Sequence, residues 1–485
     1  MTNGRGTGRR RKAGQKIPVV SFWNEVLAGA TVFLAMSYIV VINPSVLAGA
    51  SMPAGPVLVA TCLTAAIGSI ACGYYANSPT AMAPGMAFNV VVADYVSNRE
   101  GVDWPEALMA CGIAGVLLVG FSFFPLRSTP LRILLIRSLP GPIKVAINGG
   151  IGVILAGVAI KFLSDDLAAL NGERFERFLL FVFFFVGLCI VVAGDIFLKP
   201  MLNRKDLAGG QRAVLSFFSN GSPIISVGVL TLAMLWLPQI QHQTDFGVSL
   251  SDLSPWSGVS LRQTTEKFNF DVVLALILFV LYMLLADIAG TPYQILEDRD
   301  LPADEFDKRV KTGFRVDSVM NVVAPALGTT PVVYYAENNV GKLAHGQGGI
   351  VAIVAGALFL LVLVVALALG FFDVQIVQAI PKTAIAPVLF YVGMKVIAEY
   401  MGADAKTLRD DPWRDLLPPE HYLIPAAVTI VVTPIVEGLE KGLAAGLIAF
   451  FVLAHGRSVE GKKLWPVGLL SALGILALAI QYLRN

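Results

Sequence analysis

Apolar runs of about twenty residues recur from one end of this chain to the other, and that is the length a helix needs to cross the hydrocarbon of a bilayer. "VLAGATVFLAMSYIVVINPSVLAG", from Val26, and "LLFVFFFVGLCIVVAGDIFL", from Leu179, are two of them. In hydrocarbon every backbone N–H and C=O needs an internal partner, so such runs fold as helices. Charge agrees with this reading. Only 14% of residues are charged and 56% are hydrophobic, whereas a soluble domain carries about 25% charged residues. Too little charge remains to coat a water-facing surface. The expected fold is an all-α polytopic membrane protein, held in the lipid bilayer.

Candidate spans begin near Val26, Gly55, Pro79, Glu106, Gly141, Leu179, Ser222, Phe270, Phe314, Thr330, Gly349, Thr383, Tyr422 and Gly438, about fourteen in all. A further apolar stretch lies within 456–485. Residues 1–20 form a basic, polar head, expected to be a disordered tail on the cytoplasmic side. The apolar run behind it is too long for a signal core, so it is expected to be a retained first helix. With the head inside, the basic loops "PLRSTPLRILLIRSLPGPIK" and "KPMLNRKDLAGGQR" also fall inside, as the positive-inside rule requires. The more acidic "SDDLAALNGERFERF" falls outside. The polar stretch 241–269 then divides a first half, 21–240, from a second, 270–455. A multi-pass protein of the cell membrane, plasma or inner, with a cytoplasmic N-terminus is expected.

Two segments are abnormal in corresponding places. "SPTAMAPGMAFNVVVADYV" is interrupted by Pro79, Pro84 and Gly85, and "GTTPVVYYAENNVG" is short and broken at Pro331. Broken helices survive at membrane depth only where protein or a water-filled cavity satisfies the freed backbone. A matched pair of them in two halves points to an inverted-repeat transporter with its site where the half-helices meet. Two unrelated proline kinks are the plainer alternative.

Glu337, inside "YYAENNVG", and Asp287, inside "LYMLLADIAGTP", are the outstanding intramembrane acids. An ionisable group at a helix centre costs about 2.5–3.5 kcal/mol on insertion scales, and such groups mark substrate or ion pathways. A neutral carboxyl donates a hydrogen bond and an ionised one only accepts. That difference is what a residue coupling proton movement to binding of a polar solute requires. The alternative for each is a tie between helices. Asn89 and Asn148 are candidates either to line a cavity or to cross-link helices. Asp317 is expected to cap the start of the ninth span, Asp195 to pair with Lys199, and Glu437, Glu440 and Lys441 to form a helix-end charge cluster. Cys62, Cys72, Cys111 and Cys189 read as buried small hydrophobes. His242, His345, His421 and His455 have no ligand spacing, and there is no phosphate loop. No metal, cofactor, nucleophile–base pair or nucleic-acid surface is indicated, so no enzymatic chemistry is expected.

In order along the chain, "EVLAGATVFLAMSYIVVINPSVL", "PTAMAPGMAFN", "AINGGIGV", "DIAGT", "LGTTPVVYYAENNVG" and "IPKTAIAPVLFYVGM" resemble the nucleobase/ascorbate transporters (xanthine/uracil permeases). The branch they resemble most is the adenine/guanine/hypoxanthine permeases, over roughly Glu25 to Phe451. The resemblance implies fourteen spans as two inverted seven-span repeats, with a core domain of spans one to four and eight to eleven and a gate domain of the rest. It implies proton-coupled uptake of a nucleobase, most often a purine, with H⁺ or Na⁺ as the driving ion and dimerisation left open. The family's tenth-span acid falls on Glu337 and its eighth-span acid on Asp287, the first hydrogen-bonding the base and the second contributing to its binding, with both tied to proton coupling. Ala83, Gly85 and Met86 of "APGM" would supply backbone contacts, with Ala87, Phe88, Thr330 and Asn338 beside the base. Leu284 stands where the purine branch usually has a further Asp, Asn338 and Asn339 look more like the xanthine/uracil branch, and Lys441 replaces an acid. An anion carrier of the same fold and a non-transporting sensor are the competing readings.

Overall fold

The computed structural model describes residues 21–98, 102–126, 129–130, 141–170, 174–201, 209–234, 252, 270–287, 302–339, 341, 346–371, 380–407, 424–435, 445–446, 448–449 and 452. Helix α1 (Phe22–Met36) passes into α2 (Ile39–Leu47) through a tightened turn at Ser37 and Tyr38, where ψ is −24° at both. Helix α3 (Ala54–Ala76) stops at Asn77, whose left-handed φ of 46° lets its N–H close onto the Cys72 carbonyl. Strand β1 (Met82–Pro84), helix α4 (Met86–Asn98) and helix α5 (Trp104–Phe123) follow. Helix α5 opens with Pro105, and the Glu106 carboxylate accepts the Asp103 N–H at 3.0 Å, an acid stabilising a helix start. A small hairpin pairs β2 (Pro125–Leu126) with β3 (Thr129–Pro130).

Helix α6 (Gly141–Ala169) precedes α7 (Arg174–Val192), which continues through a π-helical turn, Ala193–Leu198, to Met201. Then come α8 (Gly209–Asn220), α9 (Ser222–Met234), α10 (Phe270–Asp287), α11 (Ala303–Ala326), β4 (Val332–Tyr334), a 3₁₀ turn at Ala336–Asn339, α12 (Ile350–Phe371), α13 (Lys382–Thr407) and α14 (Ile424–Ile435). Five described helices are long and apolar enough to cross a membrane, and the α8–α9 pair, bent by 71°, makes a sixth if taken as one span. Several expected starts match to within two residues: Gly141, Ser222 and Phe270 coincide, and Gly349, Thr383 and Tyr422 lie next to observed starts. The start expected at Gly438 and the segment 456–485 lie outside the described residues.

The helices pack in two groups. In one, α3 and α1 lie on α12, α5 lies on α11 and α10, and α3 also meets α11. In the other, α6 lies on α13 and α14, while α7 and α9 lie on α13. Contacts between groups run through α1 with α8 and α9, α2 with α13, and α6 with α4 and α10. Lipid tails are as apolar as leucine, so close backbone approach rather than the hydrophobic effect holds such helices. Two crossings show it. A Cβ added to Gly349 would lie 1.9 Å from the Gly73 carbonyl oxygen, and one on either Gly152 or Gly393 would lie 2.6 Å from the other's carbonyl oxygen.

Two expectations change. Asp317 does not cap a helix start, because α11 begins at Ala303 and Asp317 sits fully buried in its interior. The charged stretch "ADEFDKRVKTGFRVD" continues the helix out of the apolar region, which a hydropathy reading cuts short. Cys62, Cys72 and Cys111 are buried, whereas Cys189 is exposed. It lies on an outer, phenylalanine-rich face of α7, where an apolar side chain needs no protein cover. The four histidines and the Glu437–Lys441 cluster lie outside the described residues.

Candidate functional site

Strands β1 and β4 come from opposite halves of the chain and pair antiparallel, Met82 with Tyr334, Ala83 with Val333 and Pro84 with Val332. The Gly85 N–H extends the ladder to the Pro331 carbonyl at 2.8 Å. A two-stranded ladder leaves its outer edges unpaired, which an apolar medium does not tolerate. Side chains from neighbouring helices close them. The Ser69 hydroxyl of α3 accepts the Met82 N–H at 2.9 Å and donates to the Met82 carbonyl at 3.2 Å. On the far side, the Asn321 Oδ1 of α11 accepts the Val332 N–H at 2.9 Å. Tyr335 donates from its hydroxyl to the Pro84 carbonyl at 2.5 Å.

Each strand turns directly into a helical segment. After β1, α4 begins at Met86, and a helix start carries positive potential. After β4, the 3₁₀ turn Ala336–Asn339 carries Glu337. The Glu337 carboxylate is half-buried, and the Tyr38 hydroxyl donates to its Oε1 at 2.9 Å. Tyr38 is itself buried and sits at the tightened turn between α1 and α2. Among the described residues no donor reaches Oε2. A carboxylate placed like this can accept an N–H from a polar solute while its other oxygen is already held.

The remaining nominated residues divide by what their side chains touch. Asn338 is fully buried and committed to backbone: its Nδ2 donates to the carbonyls of Ala81 (2.9 Å) and Tyr335 (2.8 Å), and its Oδ1 accepts the Ala81 N–H at 2.7 Å. Thr330 is buried and donates to Asn89 Oδ1, while Asn89 Nδ2 reaches the Met86 sulfur at 3.4 Å. Asn89 therefore cross-links the two broken segments. Gly85 has no room for a side chain, since a Cβ would lie 2.7 Å from the Phe88 ring. Ala83, Met86 and Phe88 are buried, and Ala87 is half-buried. Asp287 is the last residue of α10, and its side chain lies outside the described residues, as does that of Asn148 on α6.

Other polar side chains, Glu25 and Asp166 buried and Asp195 half-buried, tie helices together elsewhere in the fold. Glu25 accepts the Gln347 N–H at 2.9 Å and the Gly348 N–H at 3.0 Å, just ahead of α12, while Asn77 Oδ1 accepts the Gly349 N–H at 2.9 Å. Asp166 of α6 does the same for α13, accepting both the Thr383 N–H at 2.8 Å and its hydroxyl at 2.6 Å. Asp195 pairs with Lys199 at 2.8 Å, as expected, and also with Lys395 at 3.4 Å and the Tyr391 hydroxyl. Sequence reasoning passed over Tyr38 and Glu25. A tyrosine within an apolar run carries no local mark of a distant partner, and Glu25 looks like an ordinary helix-start acid. The apolar recess of about 600 Å³ along α7, bordered by Phe178, Phe181, Phe185, Cys189 and Ala193, contains none of the nominated residues. Every residue bordering it belongs to that one helical run, so it is a furrow in the outer face of α7.

Comparison with known proteins places the whole arrangement. Residues 24–344 match the model of the xanthine/uracil permeases, described as a permease family. The adenine permease AdeP of Escherichia coli K12 is 28% identical over 442 residues, covering 89% of this chain and 87% of the relative. The guanine/hypoxanthine permease PbuO of Bacillus subtilis is 25% identical over 463 residues, covering 93% and 96%. Among solved structures, the transmembrane domain of the cyanobacterial bicarbonate transporter BicA superposes with a TM-score of 0.53 at 13% identity, covering 89% of this chain and 98% of that one. SLC26A9 superposes at 0.54 with 12% identity, covering 89% and 65%. At such identities the two structures speak for the fold, a helical core and gate. The family match spans well over half of the sequence and includes both broken segments, and the chain belongs to the xanthine/uracil permease family of membrane transport proteins.

Proposed function

We propose that this protein is a secondary active transporter that carries a purine nucleobase across the cell membrane, driven by protons. The observation that carries the reading is the half-buried Glu337 carboxylate, held by Tyr38 at the seam where the two halves pair. A purine presents ring N–H donors and a flat apolar face, and a site of one carboxylate, backbone groups and apolar walls suits it. The relatives named adenine and guanine/hypoxanthine permeases support that choice of solute. In this reading Glu337 contacts the base, Asp287 holds the coupling proton, and Ala83, Gly85, Met86, Ala87 and Phe88 form the facing wall. Asn338 and Thr330 serve by fixing the ladder.

The helix group built on α3, α5, α11 and α12 acts as the core, and the group built on α6 and α13 as the gate. Rocking of one against the other alternates access, with the two inverted halves giving the motion its symmetry. The N-terminal head lies in the cytoplasm. Glu337→Gln in the full-length protein tests the assignment through uptake of labelled adenine, guanine and hypoxanthine by cells lacking their own purine uptake. Uptake is expected to be lost with membrane abundance unchanged, and unaltered kinetics overturn it. Competition by unlabelled purines, but not by sulfate or dicarboxylates, separates this reading from an anion carrier, because a carboxylate at the site repels anions.

A further inference from the structure

From the break in the first span, we infer that Tyr38 is a positioning residue for solute recognition, holding the Glu337 carboxylate so that its second oxygen is the one presented to the base. This rests on the reading of Glu337 above and adds a residue that the family resemblance and the expected site leave out. Three observations carry it. Tyr38 lies where α1 passes into α2, with φ and ψ of −58° and −24°, a 3₁₀-like tightening inside a run of 29 helical residues. Such a tightening inside a helix often marks a functional position. The ring is 2% exposed, so the hydroxyl has little freedom to seek water. Its hydroxyl donates to Glu337 Oε1, 299 residues along the chain, at 2.9 Å.

The physical consequence is pre-organisation. A glutamate on a one-turn 3₁₀ segment has three side-chain torsions to fix before it can meet a ligand, and each ordered side chain costs affinity. A buried donor on one oxygen fixes the carboxylate plane in advance and leaves Oε2 open. Helix α1 packs against the 3₁₀ turn itself. A Cβ on Gly341 would also lie 3.0 Å from Val32 of α1, so the first span and the reading acid form one packed unit.

The test is Tyr38→Phe in the full-length carrier, which keeps the ring and removes only the donor. Tyr282→Phe is the control, because Tyr282 is an equally buried phenol whose hydroxyl has no partner among the described residues. The probe is whichever of adenine, guanine or hypoxanthine the wild type takes up fastest. For Tyr38→Phe, KM is expected to rise about tenfold, the scale of a lost hydrogen bond to a charged group, with maximal rate within about twofold. The control is expected to leave both unchanged. Tyr38→His, which restores an N–H donor, is expected to recover part of the affinity. An unchanged KM in Tyr38→Phe, a fall in maximal rate alone, or a His variant no better than Phe overturns the inference. Failure of the underlying reading is distinguishable: full uptake by Glu337→Gln removes the role of the acid itself, whereas a silent Tyr38→Phe beside an inactive Glu337→Gln removes only that of Tyr38.

Discussion

Asn338 and Ala81 exchange two hydrogen bonds across 257 residues, the amide standing in for a rung that the strand ladder lacks. The side chain thus behaves as backbone. It extends the β1–β4 pairing beyond Met82 and ties the 3₁₀ turn to the first broken segment. Asn338→Ala leaves the Ala81 N–H and carbonyl unpaired in a buried site, each at a cost of about 1–3 kcal/mol, while the Tyr335 carbonyl keeps the backbone N–H of residue 338. The variant is expected to melt several degrees lower in detergent and to reach the membrane in reduced amount. Any protein that does assemble is expected to keep its preference among purines, which competition assays read directly. A change of preference at full abundance would assign Asn338 to the base instead.

Gly349 and Gly73 touch through backbone alone, which makes them intolerant of any side chain. Gly349→Ala puts a methyl 1.9 Å from a carbonyl oxygen, so α3 and α12 must separate. Overpacking of a tight seam costs about 1–3 kcal/mol or more. Loss of the monodisperse peak in detergent gel filtration is expected for Gly349→Ala, while Gly157→Ala, at a glycine with open space around it, is expected to behave as wild type.

Glu25 holds the start of α12 from the start of α1. Removing its carboxylate in Glu25→Ala frees the Gln347 and Gly348 N–H groups, a cap loss of about 0.5–2 kcal/mol. Glu25→Gln keeps an acceptor oxygen and is expected to lose less. Hydrogen exchange at the first turn of α12 should rise in the order wild type, Gln, Ala. An equal rise in both variants would show that charge alone, rather than the acceptor, secures that helix start.

Cys189 differs from its three counterparts by exposure. With Cys62, Cys72 and Cys111 packed inside the protein and Cys189 on the lipid-facing side of α7, an apolar, detergent-soluble maleimide applied to the folded protein is expected to react slowly and at one site per chain. Intact mass should show a single adduct, and Cys189→Ser should abolish it. Adducts on the other three before denaturation would show that their packing opens.

The helical membrane fold was legible because length and composition act locally. An apolar run either spans or does not, whatever lies elsewhere, and starts at Gly141, Ser222 and Phe270 could be placed on that basis. The two interrupted segments were legible from proline and glycine alone, and they are the segments that supply β1 and β4. What failed to show was whatever depends on a distant partner. Asp317 looked like a cap because hydropathy does not register a helix running on into polar sequence. The bonds of Asn338 to Ala81 and of Tyr38 to Glu337 left no local mark, because nothing within ten residues of either side chain names its partner. The bend between α8 and α9 is equally silent, since Gly221 is one of many glycines.

The pairing of Met82 with Tyr334 also bears on biosynthesis. A ribosome finishes the first strand long before its mate exists, so the nascent first half must wait in the bilayer with an open ladder edge. The seam between the two halves can close only after β4 has emerged and the second half has inserted. Truncated chains ending before Tyr334 lack the mate of Met82 and keep that edge open, however well their individual helices insert.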